Sequence, residues 1–228
     1  MKACLLSAAL LLLAASQGRA NLIVNGSFEN FTTSGAPNDT NFGNFIRFFG
    51  PPDTASNTEL TGWTITGSSG GNPNNVDLVN SSLYPAFAGN WSLDMEGNVG
   101  ASGVIQQSFA TTPGQLYQLS FAYGNNPSGS GGTMQVLVTG NGTLLDDSVS
   151  HNTSSAANMN YNLFSADFTA DSSTTTLQFE ATTNSGFGVV LDAVEVDPIP
   201  EPASLTAWAL AAAGLAGWRW RKGKRATA

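Results

Sequence analysis

Short stretches in which apolar and polar residues alternate run through the chain from residue 21 onward, and they restrict its fold more than any other feature. Apolar side chains recur at every second position from Tyr117 to Tyr123 and again from Met134 to Val138. Because successive side chains of a strand point to opposite faces of a sheet, this period indicates half-buried β-strands. Runs of Gly, Asn, Pro and Ser, as at 125–132, separate the stretches and favour turns. The sequence predicts an all-β protein.

The stretch at 187–196 is apolar on both faces, since Val189 and Leu191 alternate with Val190 and Val194. A strand of this kind is typical of the centre of a sheet. One-sided strands joined by short turns pack face to face as two antiparallel sheets. We therefore expect one two-sheet antiparallel sandwich over residues 21–197, with the polar stretch 30–59 as an irregular surface insertion.

The first twenty residues differ from the rest of the chain. Lys2 precedes an apolar run, and the small residues Gly18 and Ala20 occupy the positions that a signal peptidase reads. We interpret residues 1–20 as a secretory signal peptide, because the apolar run is too short to span a membrane. The single cysteine, Cys4, lies within it, so we expect a mature chain without disulfides or thiolate zinc sites.

The other end contains three features in order. Pro200, Glu201 and Pro202 precede an apolar stretch at 203–218. A basic tail follows, with Arg219, Arg221, Lys222, Lys224 and Arg225. As a helix, the apolar stretch reaches about 24 Å, slightly short of a hydrocarbon core of about 30 Å. We expect one transmembrane helix whose basic end stays in the cytoplasm, so that the domain faces the periplasm.

This C-terminal segment, residues 198–228, resembles the PEP-CTERM sorting signal of Gram-negative bacteria. The resemblance covers residues 198–225 and implies that an exosortase processes the chain near the Pro-Glu-Pro motif. The helix would then hold the precursor in the inner membrane only transiently. The mature protein would reach the cell surface or the extracellular matrix.

Charge is divided between the ends and the middle. All sixteen acidic residues but only one of the eight basic residues, Arg47, lie within 21–202, which gives this segment a net charge of −15. Such a charge repels phosphate backbones and anionic lipid surfaces. We therefore expect no nucleic-acid partner.

Seven motifs occur in order along the middle of the chain: NLIVNGSFE at 21–29, GW at 62–63, VDLV at 76–79, WSLD at 91–94, IQQSF at 105–109, PGQLY at 113–117 and LDAV at 191–194. Together they look like the choice-of-anchor C family, which is related to plant cell-wall proteins with a domain of unknown function and to galactose-binding-like carbohydrate modules. The likeness spans about 21–196. It implies that the two sheets form a jelly roll.

The same resemblance implies a structural calcium site. In related carbohydrate modules, carboxylates hold calcium where the first and last strands meet, and Glu29 and Asp192 occupy the matching motifs here. Calcium takes about six to eight oxygen ligands, which two carboxylates, backbone carbonyls and water can supply. The alternative is that Glu29 accepts hydrogen bonds from turn amides and Asp192 caps a strand end. We expect no other cofactor.

Four aromatic residues are candidates for sugar contact: Trp63, Tyr84, Trp91 and Tyr123. Sugar recognition uses apolar platforms together with a few placed polar groups. Trp63 and Trp91 occur in strand-like runs, where core packing is the commoner fate of an aromatic ring. Tyr84 falls in an expected loop and is the better platform.

No catalytic apparatus is evident, and we do not expect an enzyme. His151, the single histidine, is expected to be a solvated loop residue rather than a general base. The pairs Asp94/Glu96 and Asp146/Asp147 could serve as the acid and nucleophile of a glycosidase, but that chemistry needs two carboxylates at a defined separation across a cleft, which a sequence does not show. Asp94 and Glu96 share a strand face and are expected on a solvated surface.

Three functions follow in order of preference. The first is a structural or adhesive component of the cell surface or its polysaccharide matrix. The alternative is a carbohydrate-binding module that recognises exopolysaccharide or cell-wall glycan. A small glycan hydrolase comes last.

Overall fold

The computed structural model describes residues 21–33, 40–41, 43–51, 58–66, 68–69, 72–99, 103–183 and 185–200. Within these ranges the chain forms strands and turns and no helix, so no described segment is a helix that could cross a bilayer. The signal peptide expected at 1–20 and the membrane helix expected at 203–218 lie outside the described residues.

Fourteen strands are described: β1 (Thr40–Asn41), β2 (Phe45–Phe49), β3 (Thr64–Ile65), β4 (Ser68–Ser69), β5 (Asn72–Pro73), β6 (Asn75–Asn80), β7 (Trp91–Asp94), β8 (Val104–Ala110), β9 (Leu116–Asn125), β10 (Gly132–Thr139), β11 (Thr143–His151), β12 (Asn162–Thr169), β13 (Thr174–Ala181) and β14 (Val189–Pro198).

The strands form two main sheets in which all pairs are antiparallel. The seven-stranded sheet has the order β1-β2-β6-β7-β14-β9-β12, and the five-stranded sheet has the order β11-β10-β13-β8-β3. β4 and β5 make a separate small hairpin. From β8 to β14 the chain crosses repeatedly between the sheets, as in a jelly roll. The predicted all-β antiparallel sandwich is therefore confirmed, and β14 lies centrally in its sheet, as its two-sided apolar pattern requires.

The hydrophobic core lies between the two sheets. Leu78, Leu119 and Leu191 of the seven-stranded sheet face Val136 and Phe179 of the five-stranded sheet, and all five are buried. In β9 and β10 the core residues recur at every second position, as the alternating sequence predicts. The opposite face of the seven-stranded sheet points away from this core and carries the candidate site.

The expectation of an irregular insertion over residues 30–59 is wrong for β2. Phe45–Phe49 pairs in register with β6, and Ile46 and Phe48 are buried in the core. The run FIRFF is short and nearly continuous in large side chains, so its period of two is hard to see without its partner strand.

The N-terminal segment closes the sandwich against β14. Leu22 N donates to Val196 O and Val194 N donates to Gly26 O, each at 2.9 Å. The register of β14 shifts between Asp192 and Glu195, as at a β-bulge. Two residues beside this junction have positive φ angles, Phe28 at 60° and Ala193 at 50°. A positive φ angle strains the backbone of these residues and persists only where surrounding contacts hold it. Both residues lie next to carboxylates whose hydrogen bonds hold a loop in place.

Candidate functional site

A cleft of about 380 Å³ opens on the outer face of the seven-stranded sheet. Its floor comes from β2, β6 and β7, and its walls come from the loops around 83–84, 97–99, 126–128 and 185–187. The lining residues used below are Phe45, Arg47, Asp77, Val79, Leu83, Tyr84, Asp94, Asn98, Val99, Asn126, Ser128 and Phe187. We call this site the cleft.

An ion pair forms part of the cleft floor. Arg47 Nε donates to Asp77 Oδ1 at 2.6 Å and Arg47 Nη2 donates to Asp77 Oδ2 at 2.7 Å, which is a bidentate arrangement. Arg47 also donates to the Gly97 carbonyl and to Asn98 Oδ1. A Cβ at Gly97 would lie 2.7 Å from Arg47 Nε and 2.8 Å from Asp77 Oδ1. The close contact between the backbone at this position and the ion pair therefore requires glycine. The floor is thereby held in one geometry.

Asp94 lies directly opposite Asp77 in the pairing of β6 with β7. It is 1% exposed, and its carboxylate accepts hydrogen bonds from Asn126 Nδ2 at 2.6 Å and from the Glu96 and Gly188 amides at 3.1 Å. Burial raises the pKa of Asp94 to about 8 and the neighbouring Asp77 adds to this, while the three donors lower it. Burial also raises the pKa of Asp77, against the effect of Arg47.

The expectation that Asp94 and Glu96 lie on a solvated surface is wrong, since Glu96 is fully buried. Its Oε2 accepts hydrogen bonds from the Ser185 and Gly186 amides at 2.9 and 3.1 Å. These bonds fasten the loop that carries Phe187, a cleft residue that is 41% exposed. The two carboxylates at 94 and 96 therefore hold cleft loops in place.

The cleft walls are mostly apolar. Tyr84 is buried, packs with Val79, Met159 and Val190, and lines one wall. Burial raises the pKa of its hydroxyl well above the ordinary value, and this hydroxyl has no hydrogen-bond partner among the described residues. The loop position expected for Tyr84 is confirmed, but its ring is a wall of the cleft rather than an open platform.

Glu29 and Asp192, the predicted calcium ligands, both bind the loop at 87–91. Asp192 Oδ2 accepts from the Phe87 and Ala88 amides at 2.8 and 2.9 Å. Glu29 Oε1 accepts from the Asn90 and Trp91 amides at 2.7 and 2.8 Å. Burial raises the pKa of Asp192 to about 7, and the charge of Glu29 adds to the rise while the amide donors lower it.

The contacts of Glu29 correspond to its alternative role as an acceptor for turn amides. Asp192 lies inside β14 and accepts from a loop, so it does not cap a strand end. A Cβ at Gly89, whose φ is +70°, would lie 2.6 Å from Glu29 Cδ, so the loop and this carboxylate fit closely. Within the described ranges, no group of three or more His, Cys, Asp or Glu residues could hold a metal ion. A site built on two carboxylates and backbone carbonyls stays a prediction.

The other aromatic candidates for sugar contact lie against the core. Trp63 is 1% exposed and its Nε1 donates to the Asn25 carbonyl at 3.1 Å, so its ring offers no face to a ligand. Trp91 and Tyr123 are half-buried and pack against the core cluster. Of the four, only Tyr84 lines the cleft.

His151 is buried rather than solvated, which corrects the expectation from sequence. It ends β11, its Nε2 donates to the Asn160 carbonyl at 2.9 Å, and its Nδ1 lies 2.8 Å from Asn125 Oδ1. These partners are 9 and 26 residues away in the chain, so a turn-like local sequence gives no sign of them. The ring joins β9 to the loop after β11. Asp146 and Asp147 are exposed on β11 and lie outside the cleft.

Sequence reasoning misses most of the cleft. Arg47, Asp77 and Phe187 are not among the candidates, although one signal for Arg47 is present: it is the single Lys or Arg between residues 21 and 202. A lone cation in so acidic a segment needs a carboxylate partner. Phe187 reads as part of a strand, whereas β14 begins two residues later at Val189.

The fold and the site define a two-sheet β-sandwich domain with a preformed cleft on one sheet face. The model of the family described as "Protein of unknown function (DUF642)" matches residues 21–197, and the chain belongs to this family. The PEP-CTERM protein-sorting motif follows at residues 198–225. Both resemblances predicted from sequence are thus confirmed. The sorting motif indicates an exported, membrane-anchored surface protein that an exosortase processes.

Halomucin from Haloquadratum walsbyi is 31% identical over 185 residues, which cover 80% of this chain and 2% of halomucin. Among solved structures, TmCBM61 in complex with beta-1,4-galactotriose is 13% identical with a TM-score of 0.46, over 79% of this chain and 99% of that one. An arabinose-bound MgGH51 α-L-arabinofuranosidase is 13% identical with a TM-score of 0.48, over 78% and 26%. The CBM22-1 xylan-binding domain from Paenibacillus barcinonensis Xyn10C is 16% identical with a TM-score of 0.40, over 68% and 94%.

Proposed function

We propose that the domain is a non-catalytic binding module for neutral glycans and that it serves an adhesive or structural role at the cell surface or in the extracellular matrix. An exosortase would deliver it there from a membrane-anchored precursor that faces the periplasm. The observation that carries this proposal is the cleft, which combines apolar walls with a fixed polar floor.

The composition of the cleft suits a sugar. A sugar ring presents C–H faces that pack on apolar side chains and hydroxyls that need hydrogen-bond partners. Leu83, Val99 and Phe187 are exposed at the cleft and supply apolar surface. Asn98 and Ser128 supply amide and hydroxyl groups at its edge.

The charges of the site favour a neutral ligand. Arg47 is the single Lys or Arg of the domain, and Asp77 engages its guanidinium in two hydrogen bonds. Neither the cleft nor the rest of the domain provides another Lys or Arg for a uronate or sulfate group. The net charge of −15 over residues 21–202 adds long-range repulsion of polyanions.

The carboxylates of the floor support binding without hydrolysis. A glycosidase needs one carboxyl group to protonate the leaving oxygen and a second to act as nucleophile or base, and both must reach the sugar. Both oxygens of Asp77 accept from Arg47. Asp94 is buried beneath three donors. Both groups fix the floor in this arrangement.

The course of β14 supports display at a surface. The strand begins at Val189, directly after the loop that lines the cleft, and ends at Pro198, where the sorting motif begins. Its ten residues span about 33 Å at about 3.3 Å per residue. The cleft loop and residue 198 therefore lie at opposite ends of β14, an arrangement that supports binding by a domain attached through its C-terminal end.

Affinity electrophoresis of the protein purified from its host tests this function, with neutral β-1,4-galactan and β-1,4-xylan and acidic polygalacturonate in separate gels. We expect retardation by a neutral polysaccharide and none by the acidic one. Phe187→Ala should weaken the retardation at least fivefold. Leu116→Ala, an exposed apolar residue at the far end of the sheet, is the matched control.

Three outcomes would reject the proposal: retardation by polygalacturonate alone, retardation by none of the three, or equal retardation of Phe187→Ala and the unsubstituted protein. Release of reducing sugar from the bound polysaccharide would show that the domain is a hydrolase rather than a binding module.

A further inference from the structure

The loop at 81–90 crosses the outer face of the seven-stranded sheet and borders two depressions. Tyr84 lines the cleft, whereas Phe87, three residues later, lines a second depression of about 300 Å³ over β9, β12 and β14. We call it the side groove and define it by Phe87, Ser120, Ala122, Leu163, Ser165 and Glu195. A single loop thus presents one aromatic ring to each site.

The side groove has the shape of a slot. Phe87 is 48% exposed on one side and Leu163 is 71% exposed on the other. Between them the floor carries only small outward side chains, Ser120 and Ala122, because the alternate residues of β9 point into the core. Large apolar side chains on either side of a floor of small residues leave room for a pyranose ring.

The aromatic wall of the groove is held in place. The Phe87 ring meets Tyr161 edge to face, with centroids 5.7 Å apart and planes at 77°. The Tyr161 hydroxyl donates to the Pro85 carbonyl at 3.1 Å, and Asp192 accepts from the Phe87 and Ala88 amides. A surface ring that is already fixed loses little conformational entropy when a ligand binds.

Exposed apolar side chains gather at these two sites. Within the described part of the chain, seven large hydrophobic side chains are exposed: Val24, Leu83, Phe87, Val99, Leu116, Leu163 and Phe187. Five of the seven line either the cleft or the side groove. Clustering of this kind on one sheet face marks a binding surface.

The chemistry of the side groove matches that of the cleft. Ser120 and Ser165 offer hydroxyls, Glu195 offers an exposed carboxylate that accepts hydrogen bonds, and Phe87 offers an apolar face. No Lys or Arg lines the groove. The ligand class is again an uncharged molecule with both hydroxyl groups and an apolar face.

We propose that the side groove is a second subsite for the same neutral glycan chain, so that the protein selects polysaccharide over short oligosaccharides. This inference rests on the proposed function of the cleft. Strands lie about 4.8 Å apart, which puts the groove over β9 about 12 Å from the cleft floor on β6 and β7. A chain of a few sugars that runs across the strands reaches both sites, and its second contact forms at a high effective concentration.

Isothermal titration of the protein with the extracellular polysaccharide of its host, intact and hydrolysed to short fragments, tests the inference. We expect the intact polysaccharide to bind at least tenfold more tightly than the fragments. Phe87→Ala should lower the affinity for intact polysaccharide at least tenfold and that for fragments less than twofold. Phe87→Trp keeps a platform, should keep the affinity, and should change its fluorescence on binding.

Leu163→Ala provides a second variant if Phe87→Ala loses its native melting transition, and Leu116→Ala is again the control. The second subsite is overturned if a folded groove variant binds intact polysaccharide with unchanged affinity while Phe187→Ala loses affinity. The proposed function of the cleft then still stands. Equal affinities for intact polysaccharide and fragments also overturn it. Absence of binding to both probes overturns the cleft and the groove together.

Discussion

Arg47 and Asp77 form a bidentate ion pair across β2 and β6, with both polar atoms of the carboxylate within 2.7 Å of guanidinium nitrogens. Arg47 compensates the charge of Asp77, which lies directly opposite a second carboxyl group, that of Asp94, on the neighbouring strand. Removal of one partner from a buried pair leaves an uncompensated charge. The stability of the cleft floor therefore depends on this pair.

Arg47→Met should lower the free energy of unfolding by about 3 kcal/mol at pH 7, because the buried carboxyl group of Asp77 then has no cation beside it. Urea unfolding followed by tryptophan fluorescence measures the change. The double variant Arg47→Met with Asp77→Asn should recover at least half of the loss, since no charge is left unpaired. A single variant as stable as the unsubstituted protein would contradict this account.

The stability of the domain should fall as pH rises from about 4 to 8. The pKa of Asp192 is raised to about 7 and that of Asp94 to about 8, whereas an unfolded Asp titrates near 3.9. Between these values the folded state binds more protons than the unfolded state, so raising the pH favours unfolding. Thermal melts of the unsubstituted protein and Asp192→Asn between pH 4 and 9 measure this. Asparagine keeps an oxygen for the Phe87 and Ala88 amides but does not ionise.

The difference in melting temperature between Asp192→Asn and the unsubstituted protein should grow in favour of the variant as pH rises from about 4 to 7. Ser81→Ala, a change at an exposed residue of the same loop, should show no such trend. A constant difference across this range would mean that Asp192 does not hold its proton in the folded state.

Calcium should raise the melting temperature if Glu29 and Asp192 bind it, because a ligand of the folded state stabilises that state. We expect EDTA to reverse the shift and Glu29→Gln to abolish it, with Asp171→Asn as a control carboxylate at a different turn. Differential scanning fluorimetry and calorimetric titration measure the effect. A titration with neither heat nor a shift in melting temperature would leave the two carboxylates with their amide contacts alone.

The terminal segments predict the ends of the mature protein. Mass spectrometry of the protein from its host should give an N-terminus at Asn21, after signal peptidase cleavage, and a C-terminus upstream of the apolar stretch at 203–218. Glu201→Ala within the sorting motif should cause precursor to accumulate. A C-terminus still at Ala228 in the surface-exposed protein would contradict exosortase processing.

Much of the fold could be predicted because the responsible pattern is local. The alternation at 117–123 places Tyr117, Leu119 and Phe121 in the core, and the structure buries all three. A period of two is a property of each strand and needs no knowledge of its partner. The family and the sorting motif were likewise within reach, since short motifs in a fixed order carry them.

The cleft could not be predicted in this way, because its contacts join distant parts of the chain. Arg47 and Asp77 are 30 residues apart, and Glu96 binds the Ser185 amide across 89 residues. Asp94 and Glu96 resemble surface residues on a strand, yet strand pairing and two loops enclose them. A residue's local sequence does not report which strand becomes its neighbour.

By itself, the sequence determined strands such as β9, β10 and β14, their inward side chains, the acidic character of the domain and its sorting motif, whereas it missed β2. Only the tertiary structure decided which aromatic rings are exposed. It buried Trp63 between the sheets and left Phe87 and Phe187 exposed on the outer face. The reason is physical: burial of an aromatic ring depends on what packs over it, and strand order and loop anchoring set that packing.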